Sequence, residues 1–201
     1  MKVTTVLLLL ASLSYCFGQT DTNIVATGDW SESVRDNHGA VLRGRLLVSE
    51  PKNLEADTRA RIYLDLQNVE FPLFEVYFDI AEGTNGLQFE MQDARGKPIP
   101  GETVTLGAML PSPYHIILPQ DSTIRLRADL YTLGPARWPD GLAVLVKGVN
   151  GWLWMIHPNA TNDFFLSATL TIPKNHPTLL NYPFWEGTLN LPKVEIPVLR
   201  K

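Results

Sequence analysis

Apolar and polar residues alternate along most of the chain from about residue 41 onward. A period of two places every second side chain on one face of a strand. In the clearest run, Ile62, Leu64 and Leu66 are separated by polar or aromatic residues. Similar runs are found at 41–48, 74–80, 87–92, 114–118, 124–130, 142–146, 152–156, 164–172, 185–191 and 194–198. Helical spacing is not sustained in any run after the first twenty residues, so helix is expected at most near 30–37.

Turn sequences and prolines separate the runs. Residues 82–86 and 93–97 carry Asn, Asp and Gly, which tolerate the tight turns that join antiparallel strands. Four prolines between residues 98 and 113 predict a loop there, because proline donates no hydrogen bond to a strand ladder. For the same reason, Pro192 and Pro197 predict a bent strand or a sheet edge near the end of the chain.

Strands that are polar on one face need a second layer to cover the other face. Eight to ten short strands without a helical layer predict an all-β fold, an antiparallel β-sandwich of the immunoglobulin-like type. Closure of one sheet into a barrel is the less favoured alternative. The expected organisation is an amino-terminal lead over residues 19–40 and a single sandwich domain over residues 41–201.

The first eighteen residues have the features of a secretory signal: a charged start at Lys2, an apolar run at 6–13 and small residues before Gln19. Cleavage is expected near Gly18, which predicts a secreted or periplasmic protein. No later apolar run approaches the ~20 residues that a spanning helix requires, so no transmembrane segment is expected.

The charge and the cysteine content of the chain bear on its possible partners and on disulfide bonds. The chain has 21 acidic and 17 basic residues and no run of Lys or Arg, so nucleic acid is not an expected partner. Cys16 is the single cysteine and belongs to the leader. The exported domain is therefore predicted to have no disulfide, although its compartment would permit one.

The order of four segments resembles that of bacterial extracytoplasmic immunoglobulin-like domains, loosely of the type found in BsuPI-like proteinase inhibitors. The segments are 64–68, which closes on an Asn turn; 91–98, with a D-x-x-G-K hairpin; 118–122, a Pro-led turn; and 165–170, a long strand near the end. This resemblance implies the sandwich fold and names no reactive residue. The Trp-rich stretch at 138–154 departs from it.

No catalytic motif stands out. Ser49-Glu50-Pro51-Lys52 matches the S-x-x-K pattern formally, but Pro51 prevents the helix that brings such a Lys back over the Ser. The chain is therefore predicted not to be an enzyme and to need no cofactor. Its four histidines are scattered and predict no metal site. The carboxylates expected to be solvated on outward strand positions are Asp65, Glu75, Asp79 and Glu90.

Aromatic residues in Pro- and Gly-rich connections are the candidate binding residues: Trp138, Tyr182 and Trp185. Flat rings there can hold a sugar or a peptide, or they can cap the open ends of the sandwich. Trp152 or Trp154 is expected to fill the core, and Trp30 to hold the amino-terminal lead. Asn159 begins an N-x-T glycosylation sequon.

Three functions remain open at this stage. The preferred hypothesis is a secreted, non-catalytic binding protein whose partner is a protein or a glycan outside the cytoplasm. An alternative implied by the resemblance is a proteinase inhibitor that presents the segment 107–113 to a protease. A second alternative is a glycosidase that uses two of the strand carboxylates.

Overall fold

A computed structural model describes residues 23–49, 62–79, 86–104, 113–128, 142–146, 151–156, 163–172 and 182–196. Fourteen strands and no helix are found in these residues. The leader, Trp138 and Asn159 lie outside the described residues, as does nearly all of the segment 107–113. No helix of the described part is long and apolar enough to cross a membrane.

The strands follow the alternating runs closely. Their bounds are β1 Ile24–Thr27, β2 Val34–Arg35, β3 Val41–Ser49, β4 Ile62–Asn68, β5 Leu73–Asp79, β6 Leu87–Asp93, β7 Pro98–Ile99, β8 Glu102–Val104, β9 Pro113–Pro119, β10 Thr123–Arg127, β11 Leu142–Val146, β12 Gly151–Ile156, β13 Phe164–Ile172 and β14 Gly187–Ile196.

These strands form four antiparallel sheets within the described residues. The first has the order β1-β3-β4-β10, and β2 also pairs with β3. The second has the order β14-β13-β6-β7. Two smaller sheets are β5-β9 and β11-β12-β8. The pairing of β1 and β2 with β3 makes residues 24–35, expected to precede the domain, part of the first sheet.

The first two sheets pack face to face over one hydrophobic core. The inward residues of β3, such as Leu42 and Leu46, are fully buried, and so is Leu189 on β14. Burial of each such side chain contributes about 1.5–3 kcal/mol to folding. A Cβ added at Gly44 on β3 would come within 2.7 Å of the Leu191 Cδ2 on β14, so the two sheets approach closely there. The predicted all-β fold with antiparallel sheets packed together is confirmed.

Three local predictions differ from the structure. The helix allowed near 30–37 is absent, and β2 lies there instead, because pairing with β3 supplies its backbone hydrogen bonds. The loop predicted from residue 98 begins with β7 and β8, and Pro98 is tolerated because β7 is an edge strand. The two final strands are one strand, β14, with a register shift near Pro192 that accommodates the proline.

Two tryptophans fill the core, and each has a partner for its indole N–H. Trp154 is 3% exposed, and its Nε1 donates to the carbonyl of Ile99 at 2.9 Å. Trp185 is fully buried, and its Nε1 donates to the carbonyl of Val34 at 3.3 Å. The prediction that Trp152 or Trp154 fills the core is therefore met by Trp154.

Candidate functional site

Two of the carboxylates expected to be solvated are buried. Asp65 is 1% exposed and Glu75 is 0% exposed, whereas Glu90 is exposed as predicted. The expectation was wrong for Asp65 and Glu75 because basic side chains from neighbouring strands lie against both of them. Strand alternation indicates which face a residue occupies but not what covers it. The side chain of Asp79 is outside the description.

Glu75 lies in the middle of β5, and backbone pairing holds both of its sides. On one side, β5 pairs with β9. On the other side, the N–H of Glu75 donates to the carbonyl of Pro183, and the N–H of Trp185 donates to the carbonyl of Glu75, both at 2.9 Å. The chain around Phe184 therefore runs beside β5 in parallel. This pairing places the segment around Phe184 along the edge of β5 that does not pair with β9.

The Glu75 carboxylate is bound to a histidine. Its Oε2 shares a hydrogen bond with the Nε2 of His115 on β9. Its Oε1 is buried and accepts no hydrogen bond from the described part of the chain. The buried carboxylate at Nε2 fixes the orientation of the imidazole ring.

Aromatic rings surround this pair. The Phe184 ring is stacked on the His115 ring, with centroids 6.1 Å apart and an interplanar angle of 9°. Tyr77 meets the His115 ring edge-on at 6.2 Å. Such arrangements stabilise ring pairs beyond the area that they bury. The imidazole is therefore held by a carboxylate and by two rings.

Two exposed apolar side chains extend this surface. Ile117, two residues after His115 on β9, and Tyr182, two residues before Phe184, are each 43% exposed. The His115 side chain is 26% exposed. We call the surface formed by Tyr77, His115, Ile117, Tyr182 and Phe184 the aromatic face. It presents flat apolar rings together with groups able to donate and accept hydrogen bonds.

The three predicted binding residues have different positions. Tyr182 is exposed on the aromatic face, whereas Trp185 is fully buried in the core. Trp138 is outside the described residues. The sequence reasoning did not select His115, Ile117 or Phe184. The alternation of β9 was a usable signal, because it places His115 and Ile117 on the same face.

Asp65 on β4 is bound by two arginines from the neighbouring strands of the first sheet. The Nε and Nη2 of Arg45 both donate to Oδ2 at 3.1 Å. Arg125 donates from Nε to Oδ1 at 2.7 Å and from Nη2 to Oδ2 at 3.0 Å. The hydrogen bonds to Asp65 raise the pKa of Arg125 despite the opposing effect of burial. Both carboxylate oxygens thus accept hydrogen bonds from guanidinium groups, three at Oδ2 and one at Oδ1.

No group of three or more metal-ligating side chains is found in the described residues. His38 and Asp36 are joined by a turn in which the backbone N–H of His38 donates to the Asp36 Oδ1 at 2.9 Å. Their sequence proximity is thus accounted for by local turn structure.

Comparison with protein families, with curated proteins and with solved structures finds no match to this chain. The aromatic face and the arginine-bound carboxylate are therefore interpreted from their own geometry.

Proposed function

We propose that this protein is a non-catalytic binding module that holds a glycan on its aromatic face. The observation that carries the proposal is the stack of the His115 and Phe184 rings, with the exposed Tyr182 two residues before Phe184 in the chain. Sugars pack their C–H faces on flat rings and use their hydroxyls for hydrogen bonds to adjacent polar groups. The leader-like sequence at 1–18 supports a ligand that lies outside the cytoplasm.

The fixed imidazole supports binding because it lowers the entropy lost when a ligand docks. His115 is held by Glu75, by Phe184 and by Tyr77, so its ring needs little further ordering. Groups that are ordered before binding contribute more net affinity than groups that are ordered by it.

The hydrogen bonds and the burial of Asp65 and Glu75 favour a binding function over glycoside hydrolysis. A glycosidase needs two carboxyl groups that flank a sugar and exchange protons with it. Asp65 is held by two arginines, and the Glu75 Oε2 is held by His115. Both side chains are almost without solvent exposure. Neither has the access to substrate that the reaction requires.

A glycan array followed by calorimetry on the full chain tests the proposal. We expect Tyr182→Ala to weaken the binding of the best glycan about 2- to 13-fold, since one stacked ring contributes about 0.5–1.5 kcal/mol. Tyr182→Phe should keep most of the affinity because it retains the ring.

The matched control is Val25→Ala, which truncates an apolar side chain of similar exposure, 46%, on β1. It should leave glycan affinity unchanged. Equal effects of Tyr182→Ala and Val25→Ala would contradict the proposal. Capture of a protein through Tyr182, with no glycan bound, would replace the proposed ligand class with a protein partner.

A further inference from the structure

The outward face of the first sheet carries four arginines in a regular arrangement. Arg43 and Arg45 lie on β3, and Arg125 and Arg127 lie on β10, with β4 between them. The register places Arg45, Asp65 and Arg125 in one row across the three strands. We call the surface of the four arginines the arginine face.

The charges of this face do not cancel. Asp65 is the single carboxylate among the outward residues of β3, β4 and β10 in the described part of the chain. It is shared by Arg45 and Arg125, while the contacts of Arg43 are with Gln67 and Trp30. The chain as a whole has a net charge of −4. Positive charge is therefore concentrated on one sheet of an acidic protein, where it attracts anions locally.

Several donors of the arginine face remain available. Arg45 and Arg125 use Nε and Nη2 for Asp65, and Arg43 uses Nε for the Gln67 Oε1 at 2.7 Å. Within the described part of the chain, the Nη1 atoms of Arg45 and Arg125 and both Nη atoms of Arg43 have no acceptor. The Arg125 side chain is 46% exposed and the Arg45 side chain 27%.

Trp30 holds two of the arginines in place. The guanidinium carbons of Arg43 and Arg45 lie 4.8 Å and 4.4 Å from the centre of its ring. Trp30 is itself fixed next to β3, because the Ser31 N–H donates to the carbonyl of Gly44 at 2.8 Å. The Gly44 N–H donates in return to the Ser31 Oγ at 3.0 Å. The arginine face is thus ordered before any ligand arrives.

We propose that the arginine face binds the oxyanion groups of an acidic polysaccharide. Guanidinium groups pair with planar or tetrahedral oxyanions through two parallel hydrogen bonds. The strand geometry spaces the arginine Cα atoms by about 7 Å along a strand and about 10 Å across β4. The guanidinium groups of Arg45 and Arg125 converge on Asp65, so the face presents a compact group of positive charges to an oxyanion. The proposal is independent of binding at the aromatic face.

The position of the arginines argues against two other polyanions. An acidic peptide usually gains backbone hydrogen bonds at a free sheet edge. The central strand β4 is paired on both sides, by β3 and by β10. Strand β10 ends this sheet in the described residues, and the carbonyl of Arg127 on it already accepts a hydrogen bond from the Tyr114 hydroxyl at 3.0 Å. Single-stranded nucleic acid needs several rings on which bases stack. Two aromatic residues, Trp30 and Tyr63, lie on the described part of this face, and two guanidinium groups already lie against the Trp30 ring.

The test measures binding of the full chain to five polymers: heparin, polygalacturonate, neutral dextran, single-stranded DNA and polyglutamate. We expect a sulfated or a carboxylated polysaccharide to bind, with affinity that falls as salt rises. Dextran should not compete with the acidic polysaccharide, and DNA and polyglutamate should bind at least about tenfold more weakly. Heparin and polygalacturonate distinguish sulfate from carboxylate as the preferred group.

Arg43→Gln is the most informative variant, because Arg43 makes no contact with the buried Asp65 and leaves its ion pairs intact. It should reduce polysaccharide affinity about tenfold, and Arg43→Lys should restore part of it. Arg95→Gln removes the same charge from an exposed turn at a distant point of the sequence and should have no effect. Thermal melting of each variant verifies folding.

Three results would overturn the proposal: no binding of either acidic polysaccharide at low salt, equal binding of DNA, or equal loss in Arg43→Gln and Arg95→Gln. Tyr182→Ala separates the two proposals, because it should leave acidic polysaccharide binding at the arginine face intact.

Discussion

The side-chain amide of Asn68 donates a hydrogen bond to the backbone carbonyl of Leu118, 2.9 Å away, and so ties the first sheet to the β5-β9 sheet. The same Nδ2 donates to the carbonyl of Phe71 at 2.6 Å, and the Oδ1 accepts from the Phe71 N–H at 3.1 Å. Asn68 is fully buried, so each of these bonds replaces water that cannot reach the site.

Replacement of Asn68 should therefore destabilise the protein strongly. We expect Asn68→Ala to lower the free energy of unfolding by about 2–4 kcal/mol, since it leaves buried carbonyls and an N–H without partners. Asn68→Asp should do no better, because a carboxylate cannot donate to the carbonyls of Phe71 and Leu118. Urea unfolding followed by fluorescence measures the change.

Asn190→Ala on β14 is the control, since Asn190 is exposed and accepts only a long bond from Thr169 at 3.5 Å. Its effect should stay within about 0.5 kcal/mol. A loss for Asn68→Ala no larger than that of the control would show that Asn68 does not join the sheets energetically.

The close approach of the two large sheets gives a second prediction. A Cβ at Gly44 meets the Leu191 Cδ2 at 2.7 Å and the Asp65 carbonyl at 3.3 Å, so Gly44→Ala should cost about 1–3 kcal/mol of stability. Leu191→Val shortens the opposing side chain. In a double-mutant cycle, the two changes together should destabilise less than the sum of the single changes. If the stability losses of Gly44→Ala and Leu191→Val are additive, the new Cβ is accommodated by movements that do not involve Leu191.

The pairing of Glu75 with His115 gives a third prediction, which concerns stability. His115→Ala leaves a fully buried carboxylate without its partner and should destabilise by about 2 kcal/mol or more. Adding Glu75→Gln removes the uncompensated charge and should recover part of the loss. Chemical denaturation of the single and double variants decides this, and a double variant less stable than His115→Ala would refute the explanation.

The fourth prediction concerns the pH dependence of acidic polysaccharide binding and follows from the high pKa of arginine side chains. The hydrogen bonds to Asp65 raise the pKa of Arg125, which stabilises the charged form, so the charge is lost only at still higher pH than usual. We expect heparin affinity to be unchanged between about pH 7 and pH 10. Affinity that falls through this range would point to lysine or amino-terminal groups in place of the arginine face.

Local sequence was enough to predict the longer strands but not the short strands β1, β2, β7 and β8, nor the two sites. The alternation around Leu64 identifies the core face of β4, because one residue in two must face inward. Burial of Asp65 depends on Arg45 and Arg125, which reach it only through the register of three strands. Likewise, the segment around Phe184 reaches Glu75 across more than one hundred residues of sequence. Such long-range pairing has no local signal.

The aromatic residues near the end of the chain give the last prediction, because the sequence alone assigns Tyr182 and Trp185 the same two possible roles. Trp185 is fully buried and Tyr182 is 43% exposed, so the roles should separate on mutation. Trp185→Ala should lower the free energy of unfolding by about 3–5 kcal/mol through loss of core packing. Tyr182→Ala should change it by less than about 0.5 kcal/mol. Urea unfolding and glycan calorimetry on the same samples measure both properties. Stability that depends on Tyr182 as strongly as on Trp185 would make Tyr182 a capping residue and would remove the exposed ring from the aromatic face.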